Sequence, residues 1–298
     1  MSNKQAGKGD KPRPVKKSQY NKNYDGIDWG RPKKPKNTEP DVDIVEVPCY
    51  HYKMSKRTLI IPDIHLKWEK ADKIIKHEAA DAVVFLGDYF DDFGDTPADA
   101  AETADWLVNS LKQPNRIHLM GNHDIHYAVP HRAYKCSGYE QAKEFAINAI
   151  MTENDWKKLP LHTWVGSWLC THAGFHEHFY RREFDLKEQL RSTCDNALKV
   201  AFGGGVREEI LCAGYSRGGD HPFGGIIWCD SSEFRPIMGI NQVFGHTPQR
   251  KPVWLYNGRP TAKSYTQNLC LDVSHCNYYG IHDDATDMVT VHWIGDIK

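Results

Sequence analysis

Nowhere in these 298 residues is there an apolar run of membrane-spanning length, a Cys-x-x-Cys pair or an internal repeat. Each absence excludes a class of protein. A helix needs about 20 consecutive apolar residues to cross a bilayer, so no membrane span is expected. The eight cysteines (49, 136, 170, 194, 212, 229, 270 and 276) are too scattered for a short disulfide scaffold, and free thiols in a reducing cytoplasm are expected. Nothing apolar follows the charged N-terminus, so a secretory signal is not expected either. The only run of three glycines, Gly203-Gly204-Gly205, lacks the Lys-Ser/Thr of a P-loop and the spacing of a dinucleotide fingerprint, which leaves a hinge. Net charge is −1, so the chain as a whole has no field that demands a polyanionic partner.

The charge is unevenly placed. Residues 1–37 carry 11 Lys/Arg against 3 Asp, a net of +8, which leaves −9 for the rest. Residues 1–45 have almost no aliphatic side chains before Val42 and cannot bury enough surface to offset their ordering entropy. They are expected to be a disordered basic tail, with residues 46–298 forming one folded domain. Arg31-Pro32-Lys33-Lys34-Pro35-Lys36 fits a nucleic-acid or targeting patch, although a solvated tail without a dedicated partner is the simpler reading.

Past the tail, helical and extended patterns alternate. Thr58–Ile61, Val83–Leu86 and Arg116–Met120 are short apolar runs expected as strands, separated by helical stretches from Trp68 to His77 and from Pro97 to Leu111. Thr96-Pro97 pairs an N-cap residue with proline at the first helical position. Tyr139–Met151 and Glu153–Lys158 are expected as helices, Thr163–Val165 and Trp168–Cys170 as a hairpin, and His176–Phe202 as mostly helical. Further strands are expected at Ile226–Trp228, Gln242–Phe244, Leu269–Leu271 and Met288–Val291. The alternation implies an α/β fold with helices covering a sheet.

Chemistry collects where apolar runs end. Asp63 and His65 follow the first strand, Asp88 the second, Asn122 and His123 the third, His172 the hairpin, and His246 the Gln242–Phe244 run. Open α/β folds place their sites at this carboxyl edge. A lone histidine or asparagine is more often a hydrogen-bonded structural residue, but five such junctions are hard to explain separately. Carboxylate, imidazole and amide without thiolate suit Mn²⁺, Fe or Zn²⁺ in a reactive site rather than a structural zinc. Seven residues exceed one ion's needs, whereas two divalent metal ions sharing a carboxylate would use them.

The set Asp63-x-His65, Gly87-Asp88-x-x-Asp91, Gly121-Asn122-His123-Asp124, His172-Ala173-Gly174 and Gly245-His246-Thr247 resembles the calcineurin-like metallophosphoesterase superfamily over roughly residues 56–293. The resemblance implies a four-layer sandwich, two mixed β-sheets face to face with helices outside. It implies Asp63, His65 and Asp88 on a first metal, and Asp88, Asn122, His172 and His246 on a second. It further implies a water or hydroxide between the metals as nucleophile for in-line attack on phosphorus. His123 would be the general acid, oriented by Asp91.

Thr247-Pro248 after His246 resembles the phosphoprotein phosphatase branch and the related dinucleoside tetraphosphate hydrolases, rather than relatives with Gly-His-x-His. That branch has Asp-Arg-Gly where this chain has Asp91-Asp92-Phe93, so a phosphate-binding arginine is missing, and Asp124 stands for the branch's usual Glu. Arg217, in Ser216-Arg217-Gly218-Gly219, is the candidate replacement, and Arg235 is better read as a surface residue. A manganese-dependent phosphomonoesterase acting on a phosphoprotein or small phosphoester is therefore expected. The rivals are a nucleotide polyphosphate hydrolase on the same site and a non-catalytic scaffold.

Overall fold

The computed structural model describes residues 57–257, 265–273 and 276–297. The expected basic tail and its Arg31–Lys36 patch lie outside the described residues. Among the described residues, ten strands form two mixed five-stranded sheets. They are β1 Arg57–Ile61, β2 Ala82–Phe85, β3 Arg116–His118, β4 His162–Val165, β5 Trp168–Thr171, β6 Asn241–Phe244, β7 Val253–Asn257, β8 Thr266–Cys270, β9 Tyr278–Asp283 and β10 Met288–Trp293. The first sheet has the order β10-β9-β1-β2-β3 and the second β4-β5-β6-β8-β7. In the first, β1, β2 and β3 are parallel and β9 returns antiparallel to β1. In the second, β5, β6 and β8 are parallel between antiparallel edge strands.

The period-two alternation of strand side chains explains why the sheets stack. Ile60, Val84 and Leu86 of the first sheet meet Val165, Trp168, Cys170, Val243 and Leu269 of the second in one buried cluster. Their neighbours Leu59, Ile61, Val83 and Phe85 point the other way, toward α1 (Trp68–Glu78) and α2 (Pro97–Ser110), through Ala71, Ile74, Ala100, Ala104 and Leu107. Both faces of the parallel strands are buried, hence their unbroken apolar runs. With helices outside the paired sheets, this is the expected sandwich. Thr96 starts α2 as expected, its hydroxyl accepting the Asp99 N–H while the Asp99 carboxylate accepts the Thr96 N–H.

Two expectations are corrected, and one helix was not anticipated. Asn122–Ala128 is a helix (α3), its first turn closed by the Asp124 carboxylate, which accepts the Gly121 N–H at 2.7 Å. Between His176 and Phe202 only Leu186–Phe202 is α-helical, since Asp185 caps it by accepting the Glu188 N–H. Ile226–Trp228 is a turn whose following N–H groups, of Trp228 and Cys229, both donate to the Gly225 carbonyl. Ile226 and Ile227 are fully buried, so their apolarity reports burial and not a strand. Gln141–Asn148 (α4), Glu153–Trp156 (α5) and the Leu186–Phe202 helix (α6) complete the α-helices of the described residues. None of their helices is long and apolar enough to cross a membrane.

Candidate metal centre

The carboxyl ends of β1, β2 and β3 in one sheet and of β5, β6 and β8 in the other open on the same edge. The backbone there is unusual. Of the eight described non-glycine residues with positive φ, four are sequence-selected site residues: His65 (40°), Asp88 (53°), Asp91 (65°) and His246 (70°). Such conformations cost energy and persist only where surrounding contacts enforce them. The contacts are visible. The Asp124 carboxylate accepts N–H bonds from Asp88, Tyr89 and Gly121 at 2.7–2.8 Å, pinning the turn after β2 to the start of α3. Burial, then the Asp88 charge, push the Asp124 carboxyl up to about 7 against the N–H bonds of Gly121 and Tyr89.

Asp63, His65, Asp88, Asn122, His172 and His246 all come together. Ligand atoms of Asp63, His65 and Asp88 lie within 4.8 Å of one another, as do those of Asp88, His172 and His246, so Asp88 is common to both groups. Asn122 Oδ1 is 2.9 Å from His172 Nε2, which lies 3.3 Å from Asp88 Oδ2. Backbone carbonyls fix two tautomers. His172 Nδ1–H donates to Leu86 at 2.9 Å and His65 Nδ1–H to Asp91 at 2.7 Å, leaving both Nε2 lone pairs facing Asp88.

The donors fit divalent cations. Asp63 and Asp88 are each 2% exposed, and among the described residues no Lys or Arg pairs with either. His246 Nε2 is buried with no hydrogen-bond partner. His246 Nδ1 lies 3.2 Å from His172 Nε2, and the two rings group with the buried Asp88 carboxylate, a convergence that is expensive unless a cation takes it up. Burial, then the Asp88 charge, raise the Asp63 pKa against the opposing His172, while burial and His172 hold His246 well below its usual value. Burial disfavours the charged form of His172, but the Asp88, Asp63 and Asp124 carboxylates together outweigh it and, with no cation bound, raise the pKa to about 9.

His123 stands on the first turn of α3 beside Asn122. Its N–H donates to Asp88 Oδ1 at 2.9 Å and its Nδ1–H to Asp91 Oδ2 at 2.8 Å. Burial lowers its pKa, but the Asp88 and Asp91 carboxylates more than offset that and the net shift is upward. Asp91 also takes Tyr127 Oη at 2.6 Å and Lys143 Nζ at 3.2 Å on its Oδ1, and faces His126 Nε2 at 2.9 Å. Tyr127, Lys143 and His126 were not singled out by sequence reasoning. The available signal was helical spacing, since His126 is three residues past His123 and shares its face.

Arg217 lies at the rim of the centre. Its Nη2 donates to the His246 carbonyl at 3.3 Å and its Nε lies 2.8 Å from Asp230 Oδ2, with the side chain 26% exposed. The turn before Asp230 is anchored by the Ala173 N–H on the Ile226 carbonyl, and it brings Trp228 edge-on to His246 at 5.7 Å. Arg235 is 62% exposed, reaches Glu177 at 3.9 Å and is the surface residue expected.

The calcineurin-like phosphoesterase family profile matches residues 56–250. The fold is similar to a cold-active protein-tyrosine phosphatase of a psychrophilic Shewanella species (15% identity, 80% of this chain and 78% of that one, TM-score 0.51). It is also similar, more distantly, to a Saccharomyces cerevisiae protein serine/threonine phosphatase (14% identity, 82% and 81%, TM-score 0.42). No curated protein matches the sequence. With the family's profile running across most of the strands that deliver these ligands, the chain belongs to the calcineurin-like phosphoesterases.

Proposed function

We propose that this protein is a phosphomonoesterase that works with two divalent cations, Mn²⁺ foremost, acting on a phosphoprotein or a small phosphoester. The observation that carries the reading is Asp88 standing in two ligand groups at once, with His123 fixed beside it through Asp91. Asp63, His65 and Asp88 would hold one cation, and Asp88, Asn122, His172 and His246 the other. When bound, the cations supply Lewis acidity toward the phosphoryl oxygens and acidify an attacking water.

The chain's own groups supply the rest. His123, with Nδ1–H donated to Asp91, protonates the departing oxygen from its other nitrogen, and Asp91 stabilises the charged imidazole beforehand. Arg217, held by Asp230, offers the guanidinium that Asp92 and Phe93 lack, on the His246 side of the centre rather than on the turn after β2.

Metal analysis combined with turnover tests this reading. The wild-type protein should carry two Mn²⁺ per chain and hydrolyse aryl phosphates and phosphopeptides faster than dinucleoside polyphosphates. Asp88→Asn removes the charge shared by two dications and should lose at least one ion and nearly all activity. Both ions kept at full occupancy in Asp88→Asn would sink the shared-ligand assignment. Two bound ions without turnover in the wild type would favour the scaffold.

A further inference from the structure

Beside the oxygen-and-nitrogen centre lies a second group of donors of softer chemistry. His126 is fully buried on α3, and its two ring nitrogens face different partners: Nε2 is 2.9 Å from Asp91 Oδ2 and Nδ1 is 3.1 Å from Cys136 Sγ. Cys136 follows the short turn Arg132–Tyr134 and is half-buried, with Sγ 3.7 Å from the Asn122 carbonyl. A ring nitrogen of His123, one of His126 and the Cys136 sulfur all lie within 4.8 Å of one another.

We propose that His123, His126 and Cys136 form a third cation site, selective for a zinc-class ion, whose filling inhibits the enzyme. Two imidazoles and a thiolate are the donors that zinc prefers and manganese does not. Zinc with bonds of about 2.0–2.3 Å in a tetrahedron wants ligand atoms roughly 3.3–3.6 Å apart. The His126–Cys136 pair at 3.1 Å is already close to that spacing, and rotamer-scale motion closes the rest. Asp91 faces the ring nitrogen of His126 that the metal would not use and accepts from His123, and such carboxylates orient metal-bound imidazoles and raise their basicity. Binding forms one metal–sulfur and two metal–nitrogen bonds, and the thiol proton leaves to solvent.

The inhibitory consequence rests on the proposed role of His123, because an imidazole bound to a cation no longer delivers a proton to the leaving oxygen. The site itself does not rest on it. Six other described cysteines are buried and none belongs to the first two ligand groups, and loss of a thiolate signature on substitution of Cys136 assigns the added ion to this cluster.

The experiment uses Mn²⁺-loaded full-length protein titrated with Co²⁺ as a spectroscopic stand-in and with Zn²⁺ as inhibitor. A thiolate-to-cobalt charge-transfer band should grow in the near ultraviolet with the added ion and be missing from Cys136→Ser and Cys136→Ala. The zinc concentration for half-inhibition should rise at least about tenfold in those variants, since even an outer-sphere partner is worth that much. Inhibition should be stronger on alkyl than on aryl phosphates. Equal inhibition on both, with the band present and Cys136-dependent, upholds the cation site and removes His123 from the role of acid. No band in the wild type, or an undiminished band in both variants, overturns the site and leaves His126–Cys136 a structural hydrogen bond.

Discussion

Asp91 shows how one carboxylate can be committed to several tasks. It accepts from His123 and Tyr127, neutralises part of the charge of buried Lys143, and faces His126. Lys143 is shared with Asp95 at 2.6 Å, so the hub is an ion network rather than a lone acid. Despite its burial, the carboxyl is held well below its usual range by the hydrogen bonds of His123 and His126. It therefore stays an anion at any pH where the enzyme would work. The expected outcome for His123→Asn is retention of both metals with a rate loss of about 10²–10⁴ on alkyl phosphates and a much smaller loss on aryl phosphates, whose oxide leaves unaided. Asp91→Asn should follow the same pattern more weakly. Steady-state rates on paired alkyl and aryl substrates check this, and equal losses would place the acid elsewhere.

At the scale of the element, the site is made by strand-to-loop junctions that leave no space for extra atoms. A Cβ on Gly121 would sit 2.1 Å from Asp88 Oδ1 and 2.6 Å from its amide nitrogen. One on Gly245 would come 1.9 Å from Asp63 Oδ2. These glycines let the turns after β3 and β6 pass directly behind the carboxylates that follow β2 and β1. Gly121→Ala should thus displace Asp88 and lower bound metal, seen by elemental analysis, while far-UV circular dichroism keeps its form. Gly94→Ala is the control. It has φ of +77° but nothing within 4 Å, so it bears only the left-handed strain of roughly 1–2 kcal/mol and should keep its metals. If Gly121→Ala binds metal as the wild type does, the close approach to Asp88 is not what holds the ligand.

For the molecule as a whole, buried histidines tie stability to pH. Burial lowers the His162 and His176 pKa values to about 4, and burial with the Arg116 charge holds His118 well below its usual value. Each is neutral when folded and takes up a proton when unfolded, so its contribution is complete above the unfolded value near 6.5 and is lost as pH falls toward the folded one. In the protein without its cations His172 acts in the opposite sense, its pKa of about 9 adding stability below 6.5 that is lost as pH rises through 9. The His162 contribution can be isolated by comparing urea unfolding of the wild type and His162→Asn at pH 7 and pH 4.5. The wild type's advantage should shrink at the lower pH by an amount on the order of 2 kcal/mol. A constant gap would show that His162 does not titrate between the two states.

The local order of apolar runs and polar residues was enough to place Asp63, His65, Asp88, Asn122, His172 and His246 at strand ends, because period and burial are written into Thr58–Ile61, Val83–Leu86 and Gln242–Phe244. The motif order was likewise sufficient for the family. Other features were not legible. β7 and β9 were not anticipated: Val253–Asn257 and Tyr278–Asp283 carry polar residues and take their register from β8 and β1. The first turn of α3 depends on a carboxylate that also fastens the β2 turn 35 residues away, a choice no local propensity makes. Ile226 and Ile227 were apolar for the sake of a buried turn, which sequence alone cannot tell from a strand. Above all, the convergence of Lys143, His126 and Cys136 around Asp91 and His123 joins residues from four segments. Sequence determined which chemistry each segment carries, whereas only the packing of two sheets and α3 decided which side chains share a charge, because that depends on distance in space and not along the chain.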